Sequence, residues 1–302
     1  TERRFEGGTA STPTVDGNRV YTMSYTGELY CLDAKTGEVK WSINIQKEYN
    51  GKSAGWGYAG SPLVVDNMLI VETGSKEGSL VALNKDSGSL IWKSGNYSAG
   101  YSSPVVSQLN GTQVCFMFYG YGLVGYTLKD GKELWDYECD TSYDINAATP
   151  LVSGKYIFIS SGYGKGGAVL NVGKEEPVAV WKSKAFANQF SSSVFLNGHL
   201  YGFHGNVGKV DRSLRCVEFA TGNIIWEKGD LGVGTVILVN ETLVILSEGG
   251  ELVLAEATPI EYRELERMQI LGGRCWVSPA FANGSLYARN NAGKLVCYNL
   301  GK

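Results

Sequence analysis

One pattern recurs about every 43 residues along the 302-residue chain: a small residue, then proline, then a run of apolar residues. Seven copies, 42 to 49 residues apart, account for the whole chain. Two copies have serine or valine in place of proline, and the seven positions are Pro13, Pro62, Pro104, Pro150, Ser193, Val236 and Pro279. Such a period indicates a repeat architecture, in which each unit buries its apolar faces against its neighbours.

Each unit contains short β-branched and aromatic runs separated by glycine-containing turns, as in Arg19-Val20-Tyr21-Thr22-Met23. Four units end with a glycine and a tryptophan four residues apart, at Gly37 and Trp41, Gly88 and Trp92, Gly131 and Trp135, and Gly222 and Trp226. No segment has a convincing helical pattern. These features predict an all-β fold, a single β-propeller domain over residues 1–302 with seven four-stranded antiparallel blades.

Most tryptophans fall at the end of the fourth predicted strand of a blade. We expect these rings to lie between adjacent blades, with the indole N–H bonded to backbone. The tryptophans assigned to this structural role are Trp41, Trp92, Trp135, Trp181 and Trp226. Two units depart from the pattern, because unit four lacks the Thr-Gly pair and unit six has Tyr262-Arg263-Glu264-Leu265-Glu266 where the hairpin should be.

The seventh unit stops near Asn299 after three predicted strands. In a seven-bladed protein, the segment Arg3-Arg4-Phe5 must therefore supply its outer strand, although this segment is short and has no tryptophan. The alternative is an eight-bladed protein whose extra blade precedes Thr1.

Composition excludes several classes of protein. The net charge is -3 and no cluster of Lys or Arg is present, so a nucleic-acid partner is not expected. No apolar run is long enough to predict a transmembrane segment, and no signal peptide is recognisable at the start of this chain. The six cysteines form neither a C-x-x-C motif nor an adjacent pair, which argues against a zinc site and leaves disulfide pairing open.

Three short motifs resemble those of catalytic or cofactor-binding sites. G-x-G-x-x-G occurs at Gly120 and at Gly162, but each copy precedes another strand instead of a helix, so both are interpreted as hairpin turns. G-x-S-x-G occurs at Gly51 in a predicted loop, without the strand-to-helix turn of a hydrolase. The two histidines, His199 and His204, are predicted at opposite ends of one strand and cannot share a metal.

The segment Leu29-Tyr30-Cys31-Leu32-Asp33-Ala34-Lys35-Thr36-Gly37-Glu38-Val39-Lys40-Trp41 resembles the repeat of the pyrroloquinoline-quinone (PQQ)-like β-propellers. That family includes quinoprotein alcohol dehydrogenases and the propeller lipoprotein of the bacterial outer-membrane β-barrel assembly machinery. Two further stretches, beginning at Trp56 and at Leu252, look most similar to exported propellers of environmental bacteria. The resemblance implies a periplasmic or exported protein of the cell envelope.

One face of the predicted propeller has the longest and most aromatic loops, and scaffold proteins commonly place function in such loops. Trp56 and Trp276 are the two tryptophans outside the positions between blades. The alternative is that these aromatic residues only cap the blade ends. The residues predicted to contact a ligand or partner are Trp56, Tyr58, Tyr101, Tyr121, Tyr143, Asn146, Tyr163, Phe190, His204, Arg274 and Trp276.

The resemblance leaves two functional hypotheses. A PQQ-dependent dehydrogenase would need calcium ligands, a catalytic Asp and often adjacent cysteines, as the family implies. Adjacent cysteines are absent, and the candidate oxygens are in one loop, at Asp140, Asp144 and Asn146, with Asp211 elsewhere. We therefore expect a binding or scaffolding module for a protein or carbohydrate, with no catalytic residue, metal or cofactor. A dehydrogenase with PQQ and calcium is the alternative.

Overall fold

The computed structural model describes residues 10–300, which form seven consecutive antiparallel sheets. Six sheets have four strands in sequential order, and three strands of the seventh lie within the described range. The predicted all-β, seven-bladed propeller is therefore confirmed. A five-residue helix, Ile45–Tyr49, and a 3-10 turn, Ser142–Asp144, are the helical segments of the described chain. The predicted outer strand at Arg3-Arg4-Phe5 lies outside the described residues.

The strands are short, as expected for propeller blades. In blades 1 to 3 they are Thr14–Asp16, Arg19–Met23, Glu28–Asp33 and Val39–Asn44; Leu63–Val65, Met68–Ser75, Gly78–Asn84 and Leu90–Ser94; and Val105–Leu109, Thr112–Phe118, Gly122–Thr127 and Glu133–Glu138. In blades 4 and 5 they are Leu151–Ser153, Tyr156–Ser161, Gly166–Asn171 and Val178–Ser183; and Val194–Leu196, His199–His204, Ser213–Glu218 and Ile224–Lys228. In blades 6 and 7 they are Gly234–Val239, Thr242–Ser247, Glu251–Glu256 and Glu264–Gln269; and Ala280–Ala282, Ser285–Arg289 and Leu295–Asn299.

The described residues divide into two compact units, which are considered separately. The first unit contains residues 10–159 and 170–178. Its blade 2 is buried on both faces: Leu69 and Val71 pack with blade 1, whereas Met68 and Ile70 pack with blade 3. Because successive side chains of a strand point to opposite faces, a central strand between two neighbours has to be continuously apolar. This explains the run Met68-Leu69-Ile70-Val71.

The second unit contains residues 160–169 and 179–300. The same alternation occurs in its blade 6. Leu243 and Ile245 pack in a cluster with blade 5, and Val244 and Leu246 pack in a cluster with blade 7.

The repeated tryptophans and glycines contact each other between blades. The Nε1 of Trp41 donates to the Lys85 carbonyl at 3.0 Å, and the Nε1 of Trp92 donates to the Leu128 carbonyl at 3.0 Å. A Cβ added to Gly131 would lie 2.5 Å from the Trp92 ring, and Gly131 has φ of 70°, so glycine is required on both counts. Equivalent Nε1 hydrogen bonds join Trp181 to Phe219 and Trp226 to Thr258, and equivalent glycine contacts join Gly88 to Trp41 and Gly222 to Trp181.

Blade 6 departs from this arrangement because its hairpin has no glycine of this kind. Tyr262 instead packs edge-on against Trp226, with ring centroids 5.6 Å apart. Trp226 therefore contacts an aromatic ring of the next blade, whereas Trp41, Trp92 and Trp181 contact a turn glycine.

Candidate functional site

In each unit, loops that enter a blade meet turns between the second and third strands of a blade. In the first unit, the Lys52 N–H donates to the Thr73 carbonyl at 2.9 Å. In the second unit, the Gly205 N–H donates to the Ala187 carbonyl at 3.0 Å, and the Cys275 N–H donates to the Glu248 carbonyl at 2.9 Å. The eleven residues predicted to form a ligand face lie in or beside these loops and turns.

Two of the predicted residues are buried in the first unit and anchor its loops. Tyr58 is 1% exposed, and its hydroxyl donates to the Thr73 carbonyl at 2.7 Å. Asn146 is fully buried, and its Nδ2 donates to the carbonyls of Tyr119 and Cys139 at 2.8 and 3.0 Å. Neither side chain reaches the surface, and the hydrogen bonds of both hold their loops in place.

His204 is likewise buried, in the second unit. Its Nδ1 accepts from the Ala187 N–H at 3.0 Å, so the ring proton is on Nε2, which faces Asp211 Oδ2 at 3.1 Å. Burial lowers the pKa of His204, which keeps the ring neutral. The hydrogen bond from His204, with the charge of Arg215, lowers the pKa of Asp211. Both ring nitrogens are engaged, so His204 is neither a free base nor a metal ligand in this arrangement.

The first unit has an exposed aromatic group, the Trp56 cluster, formed by Trp56 and Tyr101. Trp56 is 53% exposed, its backbone N–H donates to the Tyr101 hydroxyl at 3.1 Å, and the two rings are 5.8 Å apart. In the loop that enters blade 4, Tyr143 is 80% exposed and has φ of 68°. A non-glycine residue in this region is uncommon, so the loop holds the Tyr143 side chain outward at a conformational cost.

Tyr121 belongs to a separate group of stacked tyrosines. Tyr97 lies 5.1 Å from the ring of Tyr119 and 5.3 Å from that of Tyr121. The Tyr121 hydroxyl donates to Asp136 at 2.5 Å, and this hydrogen bond, with burial, raises the pKa of Tyr121 to about 12. Tyr121 is therefore held by its neighbours and is only partly available for contact.

A buried carboxyl group in the first unit was not among the predicted site residues. Glu72 is 3% exposed, and its Oε1 accepts from the Gly100 N–H at 2.9 Å. Burial raises the pKa of Glu72 to about 8. Glu72 is paired with Leu80 on the next strand of blade 2. The equivalent pairs are Met23 with Leu29 in blade 1 and Phe118 with Leu123 in blade 3. The sequence alone could have identified Glu72, because the equivalent positions of the neighbouring blades are apolar.

The second unit has a half-buried aromatic group, the Trp276 cluster, formed by Phe190 and Trp276 together with the exposed Arg274. The Arg274 guanidinium lies 4.4 Å above the Trp276 ring, and Phe190 lies 5.2 Å from that ring. The Trp276 Nε1 donates to Glu248 Oε1 at 3.1 Å, while Glu248 Oε2 pairs with Arg212 at 3.5 Å. The cluster therefore presents a cation and an aromatic face in a fixed geometry.

A pocket of about 230 Å³ lies in the same unit. Tyr163, which is 46% exposed, is held at this pocket by a hydrogen bond from Gln189 to its hydroxyl at 2.8 Å. The residues that line the pocket are Tyr163, Gly164, Lys184, Ala187, His204, Gly205, Asn206, Lys209 and Asp211.

Comparison with protein families gives one match, over residues 2–228, to the model described as outer membrane protein assembly factor BamB. The match covers about three quarters of the chain. The chain belongs to this family. The BamB-like propeller fold suggests a scaffolding or binding module that acts through protein interaction.

Solved structures share the fold at low sequence identity. BamB from Moraxella catarrhalis superposes with a TM-score of 0.72 at 16% identity, over 96% of this chain and 85% of that one. The quinohemoprotein alcohol dehydrogenases from Comamonas testosteroni and Pseudomonas putida HK5 give TM-scores of 0.66 and 0.64 at 14% and 12% identity, over 91% of this chain and 61% of theirs. A comparison with curated protein sequences gives no match.

A calcium ion would need several carboxylate or amide oxygens gathered around one point. Residues 10–300 contain no group of three or more His, Cys, Asp or Glu side chains placed to hold a metal ion. Of the oxygens considered from the sequence, those of Asp211 are engaged by His204 and Arg215, whereas the buried Oδ1 of Asn146 has no hydrogen-bond partner among the described residues. Over the same range, there is no disulfide and no helix long and apolar enough to span a membrane.

Proposed function

We propose that this BamB-family propeller is a binding or scaffolding module of the bacterial cell envelope that contacts a partner protein through its exposed loop residues. The observation that carries the proposal is the exposure of large aromatic side chains that the blade cores do not use. Trp56 is 53% exposed, Tyr143 is 80% exposed and Tyr163 is 46% exposed. Aromatic residues and arginine are enriched at protein interfaces, where they supply much of the binding energy.

The placement of the titratable side chains supports a non-catalytic role. One of the two histidines, His204, is buried with both ring nitrogens engaged. Glu72 is buried, and its Oε1 accepts from the Gly100 backbone N–H. A hydrolase or dehydrogenase requires titratable groups that face a substrate together.

The proposed location is the periplasm or another exported compartment. This location is supported by the family of the chain, that of the outer membrane protein assembly factor BamB. Cell fractionation followed by immunodetection of the full-length protein tests this part separately. Recovery in the cytoplasmic fraction would contradict it.

Site-specific photo-crosslinking tests the binding role. A benzoylphenylalanine is placed at Trp56 or Trp276, and at Ile91 as a matched control on an outer strand that is 41% exposed. We expect a discrete protein adduct from the two loop positions and none from Ile91. Equal labelling at all three positions, or no adduct at either loop position, would refute the proposal. Saturable binding of PQQ with calcium, together with alcohol-dependent dye reduction, would replace it with the dehydrogenase.

A further inference from the structure

We propose that the second unit binds an acidic peptide segment, with one carboxylate received between Lys184 and Lys209 and another beside Arg274. This inference rests on the proposed binding role and adds the chemical class of the partner. The surface concerned, called the cationic surface, consists of the 230 Å³ pocket and the Trp276 cluster.

The cations Lys184, Lys209 and Arg274 of this surface have no carboxylate partner among the described residues. Lys184 and Lys209 line the pocket and are exposed, and neither forms an ion pair with any residue of the described chain. Arg274 is exposed as well, and its guanidinium is stacked on Trp276 without an acidic partner in residues 10–300. Elsewhere in this unit, arginines such as Arg267 and Arg263 are paired with glutamates.

The acids of the same surface, Asp211 and Glu248, already have partners. Asp211 places Oδ1 against Arg215 at 3.1 Å and Oδ2 against His204 at 3.1 Å. Glu248 places Oε1 against Trp276 Nε1 at 3.1 Å and Oε2 against Arg212 at 3.5 Å. Arg215 also pairs with Glu227, so five cations, Lys184, Lys209, Arg212, Arg215 and Arg274, stand against three acids, Asp211, Glu227 and Glu248. The local charge is positive, although the whole chain has a net charge of -3.

The pocket and the Trp276 cluster are linked through neighbouring residues. Arg212 directly follows the pocket residue Asp211 and pairs with Glu248, which in turn holds the Trp276 indole. Phe190, on the ring of Trp276, follows Gln189, whose amide holds Tyr163 at the pocket. An extended peptide can therefore meet cations at both ends and aromatic rings between them.

The pocket has the right size and wall for one acidic side chain. Its volume of about 230 Å³ is several times the volume of a water molecule, which is about 30 Å³. Asp211 is the acid among the lining residues, and it pairs with the buried Arg215 at 3.1 Å. Three separated cations suit a short acidic peptide better than a nucleic-acid backbone, which is bound along a continuous row of positive residues.

Fluorescence anisotropy tests the inference with a fluorescein-labelled peptide of alternating glutamate and glycine. The same peptide with glutamine in place of glutamate controls for charge, and a labelled oligodeoxythymidine tests the nucleic-acid alternative. The test variant is Lys184→Glu with Lys209→Glu, and the matched control is Lys47→Glu with Lys129→Glu in the first unit. All four lysines are exposed, so both double variants change the net charge equally and are expected to fold.

We expect the glutamate peptide to bind, the glutamine peptide to bind far more weakly, and the test variant to lose about tenfold or more in affinity, since two charge pairs are lost. The control variant should keep wild-type affinity. The inference fails if the glutamate peptide does not bind, if both double variants lose affinity equally, or if the oligonucleotide binds more tightly. Adducts from Trp56 or Trp276 in the crosslinking experiment would then still support the broader binding role, so the two failures are distinguishable.

Discussion

Substituting Glu72 with glutamine should make the protein markedly more stable at alkaline pH while changing it little under mildly acidic conditions. Glu72 is 3% exposed, and its Oε1 accepts from the Gly100 N–H. Glutamine has the same shape and keeps an oxygen that can accept this hydrogen bond. It therefore imitates the protonated carboxyl group, and the variant differs from the wild type mainly in having no charge to bury.

The sign and size of the effect follow from the pKa of Glu72, which burial raises from 4.5 to about 8. Between these two values the folded state holds a proton that the unfolded state has released. The stability contributed by the protonated form is therefore fully present below pH 4.5 and is lost as the pH rises through 8. Each pKa unit corresponds to about 1.36 kcal/mol, so the wild type should lose about 3 kcal/mol relative to Glu72→Gln between about pH 5.5 and about pH 8.5.

Urea denaturation followed by tryptophan fluorescence, at several pH values across this range, measures the difference. Glu77→Gln is the matched control, because Glu77 is exposed on the adjacent turn. We expect the stability of wild type and control to fall together with rising pH, and that of Glu72→Gln to fall less. Parallel curves for all three proteins would show that Glu72 is not held protonated by burial, and the reasoning would be refuted.

Three further predictions concern the stability of the fold and are also measured by urea denaturation. Trp92→Ala should cost about 3–5 kcal/mol because a buried ring and its hydrogen bond between blades are lost, whereas Trp56→Ala should cost about 1 kcal/mol or less; equal losses would contradict the division between structural and loop tryptophans. Gly131→Ala should cost clearly more than Gly154→Ala, because both have positive φ but only Gly131 lies against a ring. Asn146→Ala should cost about 2–3 kcal/mol by leaving buried carbonyls unpaired, and a loss below that of Trp56→Ala would refute the anchoring role.

The fold could be predicted from the sequence because its information is local and repeated. In each glycine–tryptophan pair the glycine marks a turn with positive φ. The tryptophan packs on the turn glycine of the next blade, as Trp92 packs on Gly131. The alternation of faces in Met68-Leu69-Ile70-Val71 likewise follows from the period of a strand between two neighbours. The departure in blade 6 was visible in sequence, but the packing of Tyr262 on Trp226 was not, because it depends on where a longer hairpin folds back.

The exposure of loop residues was less predictable, since a loop can direct neighbouring side chains to opposite environments. Trp56 and Tyr58 are two residues apart on one loop, yet one is 53% exposed and the other 1% exposed. His204 was assigned to a contact face from its place at a turn, but the loop at Ala187 covers it and occupies Nδ1. The burial of Glu72, by contrast, could be predicted without knowledge of the loops, by comparing equivalent positions between blades.

Burial, more than aromatic character, separates the residues that build this propeller from those that remain available to a partner. Every blade tryptophan with a hydrogen bond in the structure donates to a backbone carbonyl of the next blade, and this contact is needed whatever the protein binds. The indole of Trp276 donates instead to a carboxylate that is paired with Arg212, so its ring is oriented by charged groups at the surface. A ring held in this way by polar neighbours loses little conformational freedom when a partner docks. The Trp276 cluster is therefore better suited to recognition than the singly held Trp56, and the proposed acidic partner follows from the charges around it.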